Sequence, residues 1–277
     1  MHDSGFPGGR ARVSPRLCLI VLLVSTAGAL AEELVTVSGR KGETQSYLLM
    51  HNESAGPKAV AVMFPGGEGL LRLHIEGKSV KFSAGKNFLV RTRGLFRDAE
   101  VAVAIVDSPS DQQRAGMDDG FRTGRAHVQD IAAVVKDLRG RLPGARIFLV
   151  GTSRGTLSAA YVGRALNNAV DGVVLTSTVF YGGRRLGGIG LAGFDFAAIK
   201  APLLFVHHQY DGCSACPYGP AENLGKTYPL ITVKGGKPAE SDPCEPLAAH
   251  GYYGKEAETV RAVKNWMLGQ AFPTTVD

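Results

Sequence analysis

No second pair of cysteines or histidines accompanies Cys213-x-x-Cys216 in the sequence, so the pair reads as neither half of a tetrahedral zinc set. Nor does it open a helix in a thioredoxin-like βαβ unit, which argues against a redox motif. The apolar stretch of residues 17–30 is too short for a comfortable membrane span, and no other run is long and apolar enough to cross a bilayer. Repeats, low-complexity tracts and an inserted cap domain are lacking too, which excludes a solenoid or a largely disordered chain. Neither sign of charge dominates, since 31 Lys and Arg stand against 25 Asp and Glu for a net +6. No nucleic-acid motif accompanies that surplus, so the arginines of residues 91–97 read as a solvated face, and no nucleic-acid partner is expected.

The N-terminus reads as an export signal. Arg10, Arg12 and Arg16 precede an apolar stretch from Leu17 to Leu30, and Ala29-Leu30-Ala31 is a small-x-small cleavage pattern. Cleavage after Ala31 is expected to leave Glu32–Asp277 as one domain, secreted or periplasmic, with no membrane anchor. Cys18 comes too early for lipoprotein attachment, and loss of the leader lowers the net charge from +6 to +4. Three cysteines then remain, an odd count that predicts one disulfide and one spare thiol in an oxidising compartment. Cys244 is expected to bond one of the other two, with Cys213 favoured because it follows an acidic residue and Cys216 the alternative.

Apolar runs and helical stripes alternate along the remainder. Residues 34–37 and 47–50 predict an opening hairpin, and residues 59–64, 101–107, 171–177, 202–207 and 230–233 predict buried strands. Val128, Ile131, Val134, Val135 and Leu138 fall on one side of a helix expected over 122–142. A last helix is expected over 256–269. This alternation predicts an α/β fold, a mostly parallel sheet with helices on both faces. Glycine-rich segments 66–88 and 180–196 are expected to roof a site.

One turn carries chemistry. Ile147-Phe148-Leu149-Val150 leads into Gly151-Thr152-Ser153-Arg154-Gly155, and a helix is expected from Thr156 to Leu166. Gly-x-Ser-x-Gly is weak evidence in a chain with 36 glycines, but a strand before it and a helix after it are what a nucleophile elbow requires. A serine hydroxyl needs a base and an acid to orient that base, and with this motif they follow in that reversed order, acid then histidine. Asp211 closes the apolar strand that runs into His207 and His208, while its rivals Glu222 and Asp242 close none. His250 stands between the last strand and the last helix, and His207 and His208 are expected near the pocket. Oxyanion donors are expected from the backbone N–H of Arg154 and from Pro65-Gly66-Gly67-Glu68-Gly69, with Gly67 the favoured residue.

With Gly151 to Gly155, Asp211, His250 and the Gly66-Gly67 pair in this order, the chain resembles the α/β-hydrolase superfamily over its expected mature length. It is similar to small exported bacterial hydrolases with one Cys close behind the acid and another before the His. The resemblance implies serine-dependent cleavage of a small-molecule ester or related acyl bond, with no metal or organic cofactor. A non-catalytic binding protein, an acyltransferase and a peptidase on the same fold are the alternative readings.

Overall fold

Nine strands build one sheet in the order β1-β2-β6-β3-β7-β8-β9-β10-β11. These are β1 (Leu30–Ser38), β2 (Thr44–Asn52), β3 (Ala59–Phe64), β6 (Val101–Val106), β7 (Arg146–Thr152), β8 (Gly172–Thr176), β9 (Leu203–His208), β10 (Leu230–Val233) and β11 (Thr275–Val276). The computed structural model describes residues 1–2, 30–53, 56–182 and 188–277. The leader lies outside the described residues apart from its ends, and the cleavage expected after Ala31 falls inside β1. Antiparallel pairing joins β1 to β2 and β2 to β6, and every other neighbour in the sheet is parallel. A separate small hairpin pairs β4 (His74–Glu76) with β5 (Ser79–Lys81).

Among the described residues the α-helices are α1 (Phe88–Phe96), α2 (Asp119–Thr123), α3 (Arg125–Arg141), α4 (Gly155–Leu166), α5 (Tyr218–Leu224) and α6 (Glu256–Leu268). Strand alternation explains how they cover two faces. In β3, Val60, Val62 and Phe64 pack with Ile131 and Leu138 of α3 and Leu157 and Val162 of α4. Ala59, Ala61 and Met63 point the other way, toward Phe88 and Leu89 of α1 and Val260, Val263 and Met267 of α6. Burying each large apolar side chain contributes roughly 1.5–3 kcal/mol, so both layers are held by their stripes.

Four differences from the sequence reading have local causes. The helix expected over 122–142 breaks at Gly124, whose extended backbone (φ −84°, ψ 160°) ends α2 and starts α3. Helix α1 rises out of a segment expected to be loop, with the Asn87 side chain accepting from the Leu89 N–H at its start. Helix α5 and the two-residue β11 are too short for periodicity to reveal. The arginine-rich stretch 91–97 is partly engaged within the protein, since Arg91 pairs with Glu256 at 2.9 Å and Arg93 lies over the Phe82 ring. Among the described residues, no helix is long and apolar enough to cross a membrane.

Candidate active site

Parallel pairing of β3 with β7 aligns Phe64 with Gly151, so the turns that follow both strands emerge at one edge of the sheet. Ser153 stands there with φ 51°, a left-handed conformation rare for a residue with a Cβ. The elbow is tight because Gly155 passes against β3: a Cβ there would lie 1.9 Å from the Phe64 carbonyl oxygen. At Gly151 a Cβ would lie 2.4 Å from the Gly155 carbonyl oxygen. Both flanking glycines are therefore required by close backbone approach.

Asp211 follows β9 in a turn whose N–H donates to the His208 carbonyl at 3.1 Å. One carboxylate oxygen accepts from the Cys213 N–H at 2.9 Å, and the other lies 2.9 Å from Nδ1 of His250. The Asp211 side chain is fully buried and that of His250 is 6% exposed. The rivals Glu222 and Asp242 are exposed at the surface. The His250 backbone is pinned from two sides, its carbonyl accepting from Ser177 Oγ at 2.7 Å and the next carbonyl, of Gly251, from Arg91 at 2.5 Å. Ser177 is in turn held by the Tyr252 hydroxyl, which accepts from its N–H at 2.9 Å and donates to the Val206 carbonyl at 2.8 Å.

Ser153 and His250 line the same cavity, of about 480 Å³. Its walls include Gly66, Gly67, Lys86, Asn87 and Phe88 on one side and Cys244, Glu245 and Pro246 on the other. The segment 66–88 thus borders the site as expected. None of the described residues of 180–196 does, and that expectation is corrected. His207 and His208 do not line the cavity either. His208 is tied to the Gly235 carbonyl at 2.9 Å and the Tyr210 N–H at 3.0 Å. His207 is sealed between Phe180 and Tyr218, and burial pushes its pKa down to about 4.

The disulfide joins Cys213 to Cys244 and leaves Cys216 buried and free, which settles the pairing left open by spacing. It ties the Asp211 turn to the segment before His250. Burial holds the Cys216 thiol pKa well above its ordinary value, the Asp211 charge adds to the rise, and the adjacent Ser153 hydroxyl opposes it.

The glycine loop is gripped from behind by two arginines. Arg122 Nη2 donates to the carbonyls of Pro65 at 3.2 Å and Gly67 at 3.0 Å, and Arg154 Nη1 donates to Gly67 at 3.1 Å. Asp119 fixes Arg154 by accepting from its Nε at 2.8 Å. The Gly66 carbonyl accepts from the Gly69 N–H at 3.2 Å. A trans peptide sets C=O and N–H in opposite directions, so this bond turns the Gly67 N–H away from Gly69. Gly67 itself has φ 60°, a conformation glycine adopts without strain. Gly66 lies against the serine, since a Cβ there would sit 3.0 Å from Ser153 Cβ. Sequence reasoning missed Arg122, Asp119 and Asn87, whose roles depend on contacts that no local pattern announces.

No family model and no curated protein sequence matches the chain. Solved structures do. Est1E from Butyrivibrio proteoclasticus superposes with TM-score 0.58 at 16% identity, over 86% of this chain and 98% of its own. XC6422 from Xanthomonas campestris, described as an α/β serine hydrolase without lid, gives 0.52 at 15% identity over 83% and 94%. The esterase Est22 gives 0.57 at 14% identity over 87% and 81%.

Proposed function

Starting from an α/β-hydrolase fold, which the chain adopts, we propose that this protein is a serine hydrolase that cleaves a small-molecule ester through Ser153, His250 and Asp211. One observation carries the reading: a cavity lined by a serine on a left-handed elbow is also lined by a histidine whose Nδ1 is bonded to a buried aspartate. Two neighbours of the same fold are described as esterases, which supports an ester substrate.

In this mechanism His250 takes the Ser153 proton through Nε2 as Oγ attacks the ester carbonyl. Asp211, at Nδ1, fixes the ring orientation and stabilises the imidazolium. The N–H groups of Gly67 and Arg154 receive the oxyanion, and the two guanidiniums on the Gly67 carbonyl hold that loop in place. Collapse releases the alcohol with the proton from His250 and leaves an acyl-serine. Water, deprotonated by His250, then releases the acid. The signal-like N-terminal sequence and the disulfide support an exported protein.

Fluorophosphonate labelling tests the reading, with p-nitrophenyl esters of increasing acyl length as substrates. Wild type is expected to label at Ser153 and turn over the shorter esters, and Ser153→Ala to do neither. Absence of labelling in folded wild type, or equal labelling of Ser153→Ala, overturns it.

A further inference from the structure

Cys216 is unpaired and buried, and its sulfur, the Cys213 sulfur and a ring nitrogen of His250 lie within 4.8 Å of one another. The disulfide places the Cys244 sulfur directly on that of Cys213. Folding therefore gathers what spacing along the chain did not, three sulfurs and an imidazole at one point. That is the Cys₃His donor set of closed zinc sites.

His250 is prepared for such a role. Nδ1 is committed to Asp211 at 2.9 Å, which leaves Nε2 to ligate. A carboxylate behind the imidazole is the outer partner that zinc-bound histidines usually have. Zinc–sulfur bonds of about 2.3 Å set tetrahedral ligands roughly 3.8 Å apart, about 1 Å less than the 4.8 Å within which the two sulfurs and a His250 ring nitrogen already lie. Cys244 is exposed and lines the cavity, giving a reductant and an ion a way in.

In the oxidised chain, Cys213 and Cys244 are bonded to each other and cannot both ligate. A dithiol reductant transfers two electrons and two protons to that bond, yielding two thiols while its own sulfurs close into a disulfide. We propose that the chain reduced in this way binds one zinc-class cation through Cys213, Cys216, Cys244 and His250. The bound ion then silences the site by occupying the imidazole that serves Ser153. Binding releases the thiol protons, and the dication supplies the charge that keeps a buried Cys216 thiolate stable. The metal site stands on its own geometry, whereas the silencing rests on the serine-hydrolase reading.

Cobalt(II) is the probe. The full chain, reduced with a phosphine and desalted without oxygen, is expected to take up one cobalt per chain, with tetrahedral d–d absorption and a thiolate-to-cobalt charge-transfer band. Zinc should displace it, and the oxidised chain should show no band. Cys216→Ala and Cys216→Ser, checked for folding by far-UV circular dichroism, are expected to bind at least about tenfold more weakly. Zinc should slow fluorophosphonate labelling of the reduced wild type about tenfold or more, with recovery in chelator. A reduced wild type without the band, or undiminished affinity in both folded Cys216 variants, overturns the metal site. Full labelling of the zinc-loaded chain overturns the silencing. A cobalt band in a chain that never labels leaves the metal site standing and removes the hydrolase reading instead.

Discussion

Arg122 stands behind Gly67 with its Nη2 donating to the Gly67 carbonyl at 3.0 Å, and the arginine is fully buried. Its other contacts are the Pro65 carbonyl and Ser158 Oγ at 2.9 Å, so the acceptors it meets are neutral oxygens rather than a carboxylate. Burial pushes its pKa down to about 9, helped by the neighbouring Arg154 charge. Below that value a cation lies immediately behind the loop proposed to receive the oxyanion. Removing it takes a donor from the Pro65 carbonyl, from Ser158 Oγ and from the Gly67 carbonyl, of which the last keeps Arg154, and Arg122→Met is expected to lose about 3 kcal/mol of stability in urea denaturation. Ester turnover should fall about 10- to 100-fold with KM little changed, because the loop is displaced where charge develops.

Asp211→Asn tests the proposed acid with almost no change of shape. Its carboxylate is buried and accepts from both Cys213 N–H and His250 Nδ1. An amide in its place favours the wrong imidazole tautomer. The expected loss in kcat is about 10⁴-fold, read from p-nitrophenyl ester turnover, with the thermal transition shifted by only a few degrees.

Two glycines near the elbow should respond differently to alanine. At Gly155 the new Cβ meets the Phe64 carbonyl 1.9 Å away, and backbone on both sides prevents relief. Gly155→Ala is expected to cost more than about 4 kcal/mol and to appear chiefly as insoluble protein. Gly67 has open space around a Cβ but φ 60°, so Gly67→Ala should cost only about 1–2 kcal/mol and remain soluble. Soluble yield and urea midpoints separate the two.

His207 predicts an acid sensitivity of the fold. Burial lowers its pKa from the ordinary 6.5 to about 4, and both ring nitrogens lack partners among the described residues. A depressed folded-state value means that the unfolded chain takes up the proton first as pH falls below 6.5. The stability contribution is complete above 6.5 and is lost progressively down to about pH 4, reaching roughly 3 kcal/mol. Urea denaturation at pH 7 and pH 4.5 should show this loss, and His207→Phe should reduce it.

The elbow was legible because the chemistry of close approach is local. Gly151, Ser153 and Gly155 lie within five residues, bounded by an apolar strand and a small-residue helix, so their spacing already implies the turn. Asp211 and His250 were legible for a different reason: a strand end and a strand-to-helix junction mark where loops gather in a parallel sheet. Asn87 gave no such mark. It lies in a glycine-rich stretch, and the short helix it caps became visible only through packing against α6. His207 misled because adjacency to Asp211 in the chain does not determine which face of β9 a side chain takes.

Alternating apolar strands and amphipathic helices determined the layered α/β architecture by themselves, since periods of 2 and 3.6 record which face each segment buries. The elbow, its two glycines and the positions of Asp211 and His250 along the chain were likewise present in the sequence. Tertiary structure decided between Cys213 and Cys216, set two arginines on one carbonyl, and brought Cys216 beside His250. Those relations join residues tens of positions apart. They depend on strand order and loop closure, which local periodicity does not encode.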